Sequence, residues 1–195
     1  YEEKVIGCEE FNAWHMNWRR EKPTLQPRNL EQVIETSESG YQLALQRVLN
    51  TYKVDPSSVH IVLEPACGAG SMTHALLKVC HSIRTLHAID YGEVLRMELF
   101  DAQVVIPVIG YISEVIQKRP ISETLYDLIV CCAMSSNHGL YDWKLQLLAD
   151  RLQPTGHLLT FGENGNLESD SSFRNISQTL HNSKYDYDAV LWSKK

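Results

Sequence analysis

Glu64 closes the apolar run His60-Ile61-Val62-Leu63 and is followed by Pro65-Ala66-Cys67-Gly68-Ala69-Gly70, after which a helical pattern begins at Met72. A carboxyl at a strand end, two glycines and a helix start are the parts of a nucleotide or nucleoside pocket. Gly68 and Gly70 can take backbone angles closed to other residues and let a ligand approach the main chain. The helix start offers unpaired N–H groups. The next apolar segment, Thr85-Leu86-His87-Ala88-Ile89, ends in Asp90, and an acid at the tip of a second strand can hold both hydroxyls of a ribose. The loop lacks the full G-x-G-x-x-G of a dinucleotide site, because Ala66 stands in the first place and Thr73 in the last; the absence of G-K-[ST] excludes a P-loop. Glu64 would repel a pyrophosphate but accept hydrogen bonds from an amine or from ordered water. The loop therefore favours a nucleoside cofactor bearing an amino acid.

Those residues need a scaffold, and the pattern supplies an alternation. Helical spacing covers 10–20, 29–35 and 38–50, the last with Leu43, Leu45, Val48 and Leu49 on its apolar side. Pro56 and two serines break the chain before a first strand at 60–64. A helix at 72–80, a strand at 85–89, a helical turn through 94–100, a strand at 103–109, a short helix at 113–118 and a strand at 127–132 follow. Helical spacing over 143–152 stops at Pro154-Thr155-Gly156, before a fifth strand at 157–161. A helix around 172–181 and a strand at 189–193 complete the chain. Strands alternating with helices predict an α/β fold, a doubly wound and mainly parallel sheet with ligand at the carboxyl ends of the strands. Two units are expected, an N-terminal helical extension or lid over 1–55 and a Rossmann-like domain over 56–195.

At 195 residues and 44% hydrophobic content the chain supports one sizeable core. It opens on Tyr1 without a methionine, so we expect an N-terminus that was processed, trimmed or cut from a larger polypeptide. The longest apolar stretches are strand-sized, short of the ~20 residues that span a bilayer, and no membrane partner is expected. The net charge of −6 argues against a broad nucleic-acid surface. A local basic and aromatic cluster does exist, with Arg19, Arg20, Lys22 and Arg28 beside Trp14 and Trp18. Such a cluster suits either a single-stranded nucleic acid or a helix packed by its tryptophans. The five cysteines form no CxxC pair, which fits small buried side chains in a reducing, cytoplasmic setting and no metal site.

Several motifs in order resemble the class I S-adenosylmethionine-dependent methyltransferases. They are the loop Glu64 to Gly70, Asp90, the strand Tyr126-Asp127-Leu128-Ile129-Val130, and the helix, turn and strand running from Leu147 through Pro154-Thr155-Gly156 to Leu159. The resemblance implies S-adenosylmethionine as cofactor. It places Glu64, Ala66, Gly68 and Gly70 along the methionine part, Asp90 on the ribose and Tyr91 beside the adenine. Gly110, Tyr111 and Ile112 would line the far side, with Cys132 and Ala133 at the fourth strand tip. The family closes its sheet with an antiparallel hairpin, and here clear strand sequence covers only 189–193, with 184–187 as a degraded partner. A shortened sheet edge is expected.

Methyl transfer needs alignment of acceptor and methyl, and for some acceptors a base. His138 and Glu163, in the segments after the fourth and fifth strands, are the candidate catalytic bases, and Trp14, Trp18, Tyr41 and Asn137 the candidate walls of the acceptor site. The segment Gly68 to Lys78, with Gly40-Tyr41 before it, also resembles the methyltransferase domains of the large polymerase proteins of nonsegmented negative-strand RNA viruses, and RNA ribose methyltransferases more widely. Their Lys-Asp-Lys-Glu tetrad falls on Gln42, Cys132 or Ala133, Phe161 and Asp188, so the tetrad is absent. Three readings remain: a methyltransferase for a small molecule or an unusual position, such as a ring nitrogen that needs no deprotonation; an RNA or mRNA-cap methyltransferase; and a non-catalytic methyltransferase-like module.

Overall fold

Apolar residues spaced by two and by three or four give this chain its layers. The computed structural model describes residues 41–90, 97, 100–132, 142–161, 173–175, 180–182 and 187–194. Helix α1 is described over residues 41–51 and buries Tyr41, Ala44, Leu45, Val48 and Leu49, the i, i+3, i+4, i+7, i+8 stripe of an amphipathic helix. Leu43, expected on that stripe, is 38% exposed, because the 3.6-residue period turns it away once Ala44 and Leu45 face inward.

A 3₁₀ turn at Pro56–Ser58, capped by the Asp55 side chain, leads into β1 (Ile61–Pro65). Helix α2 (Ser71–Val79), β2 (Thr85–Asp90), β3 (Val105–Ile109), α3 (Ile112–Val115), β4 (Tyr126–Cys132), α4 (Asp142–Arg151) and β5 (Leu152–Phe161) follow in alternation. Then come three strands without a described helix between them, β6 (Phe173–Asn175), β7 (Leu180–Asn182) and β8 (Tyr187–Lys194). The sheet has the order β3-β2-β1-β4-β5-β8-β6, with β7 also on β8. From β3 to β5 every pairing is parallel, and β8 is antiparallel to β5, β6 and β7.

The far edge corrects the expected helix around 172–181, since strands stand at both of its ends. β6 pairs with the end of β8 at Trp192 to Lys194, and β7 with its start at Tyr187 to Ala189. The closing strand of the sheet is thus present as two three-residue pieces, upstream of the 184–187 segment proposed for it. β3 starts at Val105 rather than 103, because Asp101 holds a turn there, its carboxyl accepting from Gln103 N–H and its carbonyl from Val104 and Val105. β5 starts earlier than expected, at Leu152 opposite Tyr126; it then runs to His157 while β4 advances only to Leu128. The expected Pro154-Thr155-Gly156 turn is therefore a bulge inside a strand. A Cβ on Gly156 would lie 2.6 Å from the Tyr126 carbonyl oxygen, so only glycine fits.

Side chains alternate between two cores. One face packs α1 and α2 on Val62, Leu86, Ala88, Leu128, Val130, Leu159 and Leu191. The other packs residues of α4 and the Val115 to Ile121 segment on Leu63, Ile89, Ile129, Cys131, Leu158 and Trp192. Helices on both faces of a mainly parallel sheet make the expected doubly wound architecture. α1, which lies before residue 56, shares the first of these cores. At the amino end of the central strands, Asp127 Oδ2 accepts from the N–H groups of His60 (2.8 Å) and Ile61 (2.9 Å), tying β4 to β1.

Candidate functional site

The strand order reverses between β1 and β4, and in open parallel sheets ligands bind in the crevice beyond the carboxyl ends of the strands at such a point. Register brings those ends level: Pro65 pairs with Ile89 and Asp90 with Ile109. Behind this edge Glu64, on the α2 side of the sheet, is 1% exposed. Its Oε2 accepts a 2.6 Å hydrogen bond from the Thr73 hydroxyl of α2, and its Oε1 has no partner. Burial, with the neighbouring Asp90 charge adding to it against the Thr73 bond, pushes the Glu64 carboxyl up to about 8.

The glycine loop bends sharply. Ala66 (φ 57°), Gly68 (φ 55°) and Gly70 (φ 101°) all take left-handed angles. Ala66 stands where the family pattern has a glycine, and the chain takes the glycine conformation there without one. The loop is fastened to β2 twice: Cys67 N–H donates to the Ile89 carbonyl (3.0 Å) and Gly68 N–H to Asp90 Oδ2 (2.9 Å). A Cβ built on Gly68 meets nothing within 4 Å, so this turn borders open space. Cys67 is buried, and burial together with Glu64 and Asp90 pushes its thiol well above the ordinary range, which leaves it an inert filler of the turn.

Gly110 extends the crevice from β3. Its N–H donates to the Asp90 carbonyl at 2.8 Å, and a Cβ on it would lie 2.6 Å from Val115 Cγ1. Tyr111 and Ile112 follow directly, and Ile109 at the strand tip is 55% exposed, an apolar surface beside Asp90. Cys132 ends β4. Glu64, Ala66, Gly68, Gly70, Asp90, Gly110, Tyr111, Ile112 and Cys132 thus lie at or next to the carboxyl ends of four adjacent parallel strands. Tyr41, expected as an acceptor wall, belongs to the core stripe of α1. Tyr91, Ala133, Asn137, His138, Glu163, Trp14 and Trp18 lie outside the described residues. Among the described residues no group of three His, Cys, Asp or Glu could hold a metal ion, and no helix is long and apolar enough to cross a membrane.

Sequence reasoning missed Thr73, read only as a replaced glycine. Its signal was a lone hydroxyl among Met72, Ala75, Leu76 and Val79 on the buried side of α2.

Neither a protein-family model nor a curated protein matches this chain. Solved structures do. Human N-acetylserotonin methyltransferase, in complex with S-adenosylmethionine, is similar with a TM-score of 0.56 at 18% identity, over 86% of this chain and 54% of that one. TrmN from Thermus thermophilus gives 0.60 at 15% identity over 77% and 48%, and precorrin 8w decarboxylase from Methanobacterium thermoautotrophicum 0.52 at 14% over 79% and 89%. The chain spans about half the length of the first two. Likeness at such low identity is likeness of fold.

Proposed function

We propose, from the class I methyltransferase fold of this chain, that it binds S-adenosylmethionine and serves a methyltransferase. The observation that carries the reading is the buried Glu64 with an unpartnered oxygen, at the start of the loop in which Gly68 borders open space. An ammonium group is a natural complement to that oxygen, and the absent Cβ of Gly68 leaves room for the chain that bears it. Asp90, which holds the loop through Gly68, would accept from the ribose hydroxyls. The exposed Ile109 and the Gly110 to Ile112 turn offer an apolar flank for a purine.

The cofactor supplies a methyl group on a sulfonium, already activated for displacement. What the chain contributes is orientation: Glu64 would hold the amino-acid end of the ligand and Asp90 the ribose at its middle, with the glycine turn between them setting its depth. Without the ribose-activating tetrad, the acceptor we favour is a small molecule or an unusual position such as a ring nitrogen, which needs no deprotonation. Should the acceptor need a base, His138 and Glu163 are the side chains proposed for it. The second reading, an RNA or cap acceptor, draws on Arg19, Arg20, Lys22 and Arg28.

Calorimetric titration with S-adenosylmethionine and S-adenosylhomocysteine, with NAD and Asp90→Ala as controls, tests the cofactor. Micromolar binding that Asp90→Ala weakens supports it, and an acceptor screen including capped RNA then separates the two acceptors. Absence of binding to folded protein replaces both with a non-catalytic module.

A further inference from the structure

We propose that Glu64 exchanges a proton with solvent on ligand binding: it is protonated in the unliganded protein and gives up that proton when an ammonium-bearing ligand docks against its free oxygen. The inference rests on the S-adenosylmethionine reading and adds a pH dependence to it. Its geometric basis is a carboxyl 1% exposed, with one oxygen held by Thr73 at 2.6 Å and the other unpartnered. The groups that act on it come from three directions: Thr73 from α2, Asp90 from β2, and Cys67 from the loop after β1. The two titratable ones are acids, so the surroundings resist a second negative charge until a cation arrives. Among the described side chains of β4, Leu128 and Val130 face the same core.

In the step itself the O–H bond of Glu64 breaks, its electron pair stays on the carboxyl, and the proton passes to the buffer. The carboxylate then accepts hydrogen bonds from the ligand ammonium, and no covalent bond to the ligand forms. The Thr73 hydroxyl, which favours the charged form, serves the liganded state. Burial holds the unliganded carboxyl at about 8, so near neutrality each ligand bound releases up to about one proton.

The test is calorimetry with S-adenosylhomocysteine at pH 7 in two buffers of different ionisation enthalpy, repeated at pH 6. The expected results are net proton release and an affinity about tenfold weaker at pH 6 than at pH 7. 5′-Methylthioadenosine, which lacks the amino-acid arm, should bind without releasing a proton. Glu64→Gln should bind more weakly and lose both the release and the pH slope. Carboxyl-carbon NMR of the unliganded wild type, which needs neither a variant nor a ligand, should find Glu64 still protonated at pH 6. Ligand binding without proton exchange, or a Glu64 already ionised at pH 6, overturns the proposal and leaves the cofactor reading standing. No binding of either adenosyl ligand to folded protein overturns both.

Discussion

Glu64 carries a cost that can be measured without any ligand. Its folded carboxyl holds a proton up to about 8, against an ordinary 4.5. The stability this proton brings is fully present below pH 4.5 and is lost as pH rises toward 8, because the unfolded carboxyl ionises first. At about 1.4 kcal/mol per pH unit, the loss reaches about 3 kcal/mol by pH 7. Glu64→Gln keeps an oxygen for the Thr73 hydroxyl and never ionises, although its amide brings an added donor to the place where Oε1 has no partner, at about 1 kcal/mol. The variant should therefore be about 2 kcal/mol more stable than wild type at pH 7 and slightly less stable at pH 4.5. That constant offset cancels when the two pH profiles are subtracted. His87 and His157, which burial holds below the ordinary imidazole range, lose stability on acidification equally in both proteins and cancel too. Urea unfolding at pH 5, 6 and 7 measures the difference. Parallel wild-type and variant profiles would refute the reasoning, since they would mean that Glu64 ionises alike folded and unfolded.

Asp90→Ala should weaken adenosyl-ligand binding by about tenfold to about 150-fold, as one or two charge-assisted hydrogen bonds of about 1.5 kcal/mol each are lost; calorimetry reads it, and unchanged affinity would misplace the ribose. Asp127→Asn, at the opposite end of the strands, loses charge-assisted bonds to His60 and Ile61 and should cost about 1 to 3 kcal/mol in urea unfolding while leaving ligand affinity within twofold. Ala66→Gly relieves a left-handed alanine at φ 57° and should stabilise by about 0.5 to 1 kcal/mol after the added freedom of the unfolded chain, a rise of about 2 °C in Tm. Gly156→Ala drives a Cβ to 2.6 Å from a backbone oxygen and should cost at least about 2 kcal/mol, visible as a fall in urea midpoint.

The central strands were legible because their chemistry is local. Val62 to Glu64 and Leu86 to Asp90 are mainly apolar runs that each end in an acid, the first leading into a glycine turn, and Leu128 to Cys132 is apolar throughout; the structure puts the first two ends level. The far edge was not legible: β6 and β7 are three residues each, too short to carry a period, and their pairing is decided by β8, which follows them in the chain. The early start of β5 likewise depends on Tyr126 lying opposite Leu152, a long-range fact that a proline and glycine in the local sequence disguise as a turn. Of the site, Gly68, Gly70 and Asp90 announced themselves by type and position. The Thr73 to Glu64 bond did not, because it joins a helix to a strand nine residues away and only folding reveals that the two meet.

The sheet is also a partition. Leu158 belongs to one core and its neighbour Leu159 to the other; Leu191 and Trp192 divide the same way. Packing changes on the two sides have few shared partners, so their energies should add, and the sides can drift independently over evolutionary time. The side carrying α1 and α2 holds Glu64 and Thr73, and under the proposed function a ligand would constrain its volume. The opposite side, around Trp192 and the Tyr126 to His87 hydrogen bond, answers to stability except at its rim, where Ile112 meets the flank proposed for the purine. Stabilising substitutions there would give the chain a reserve on which changes around Glu64 and Thr73 can draw.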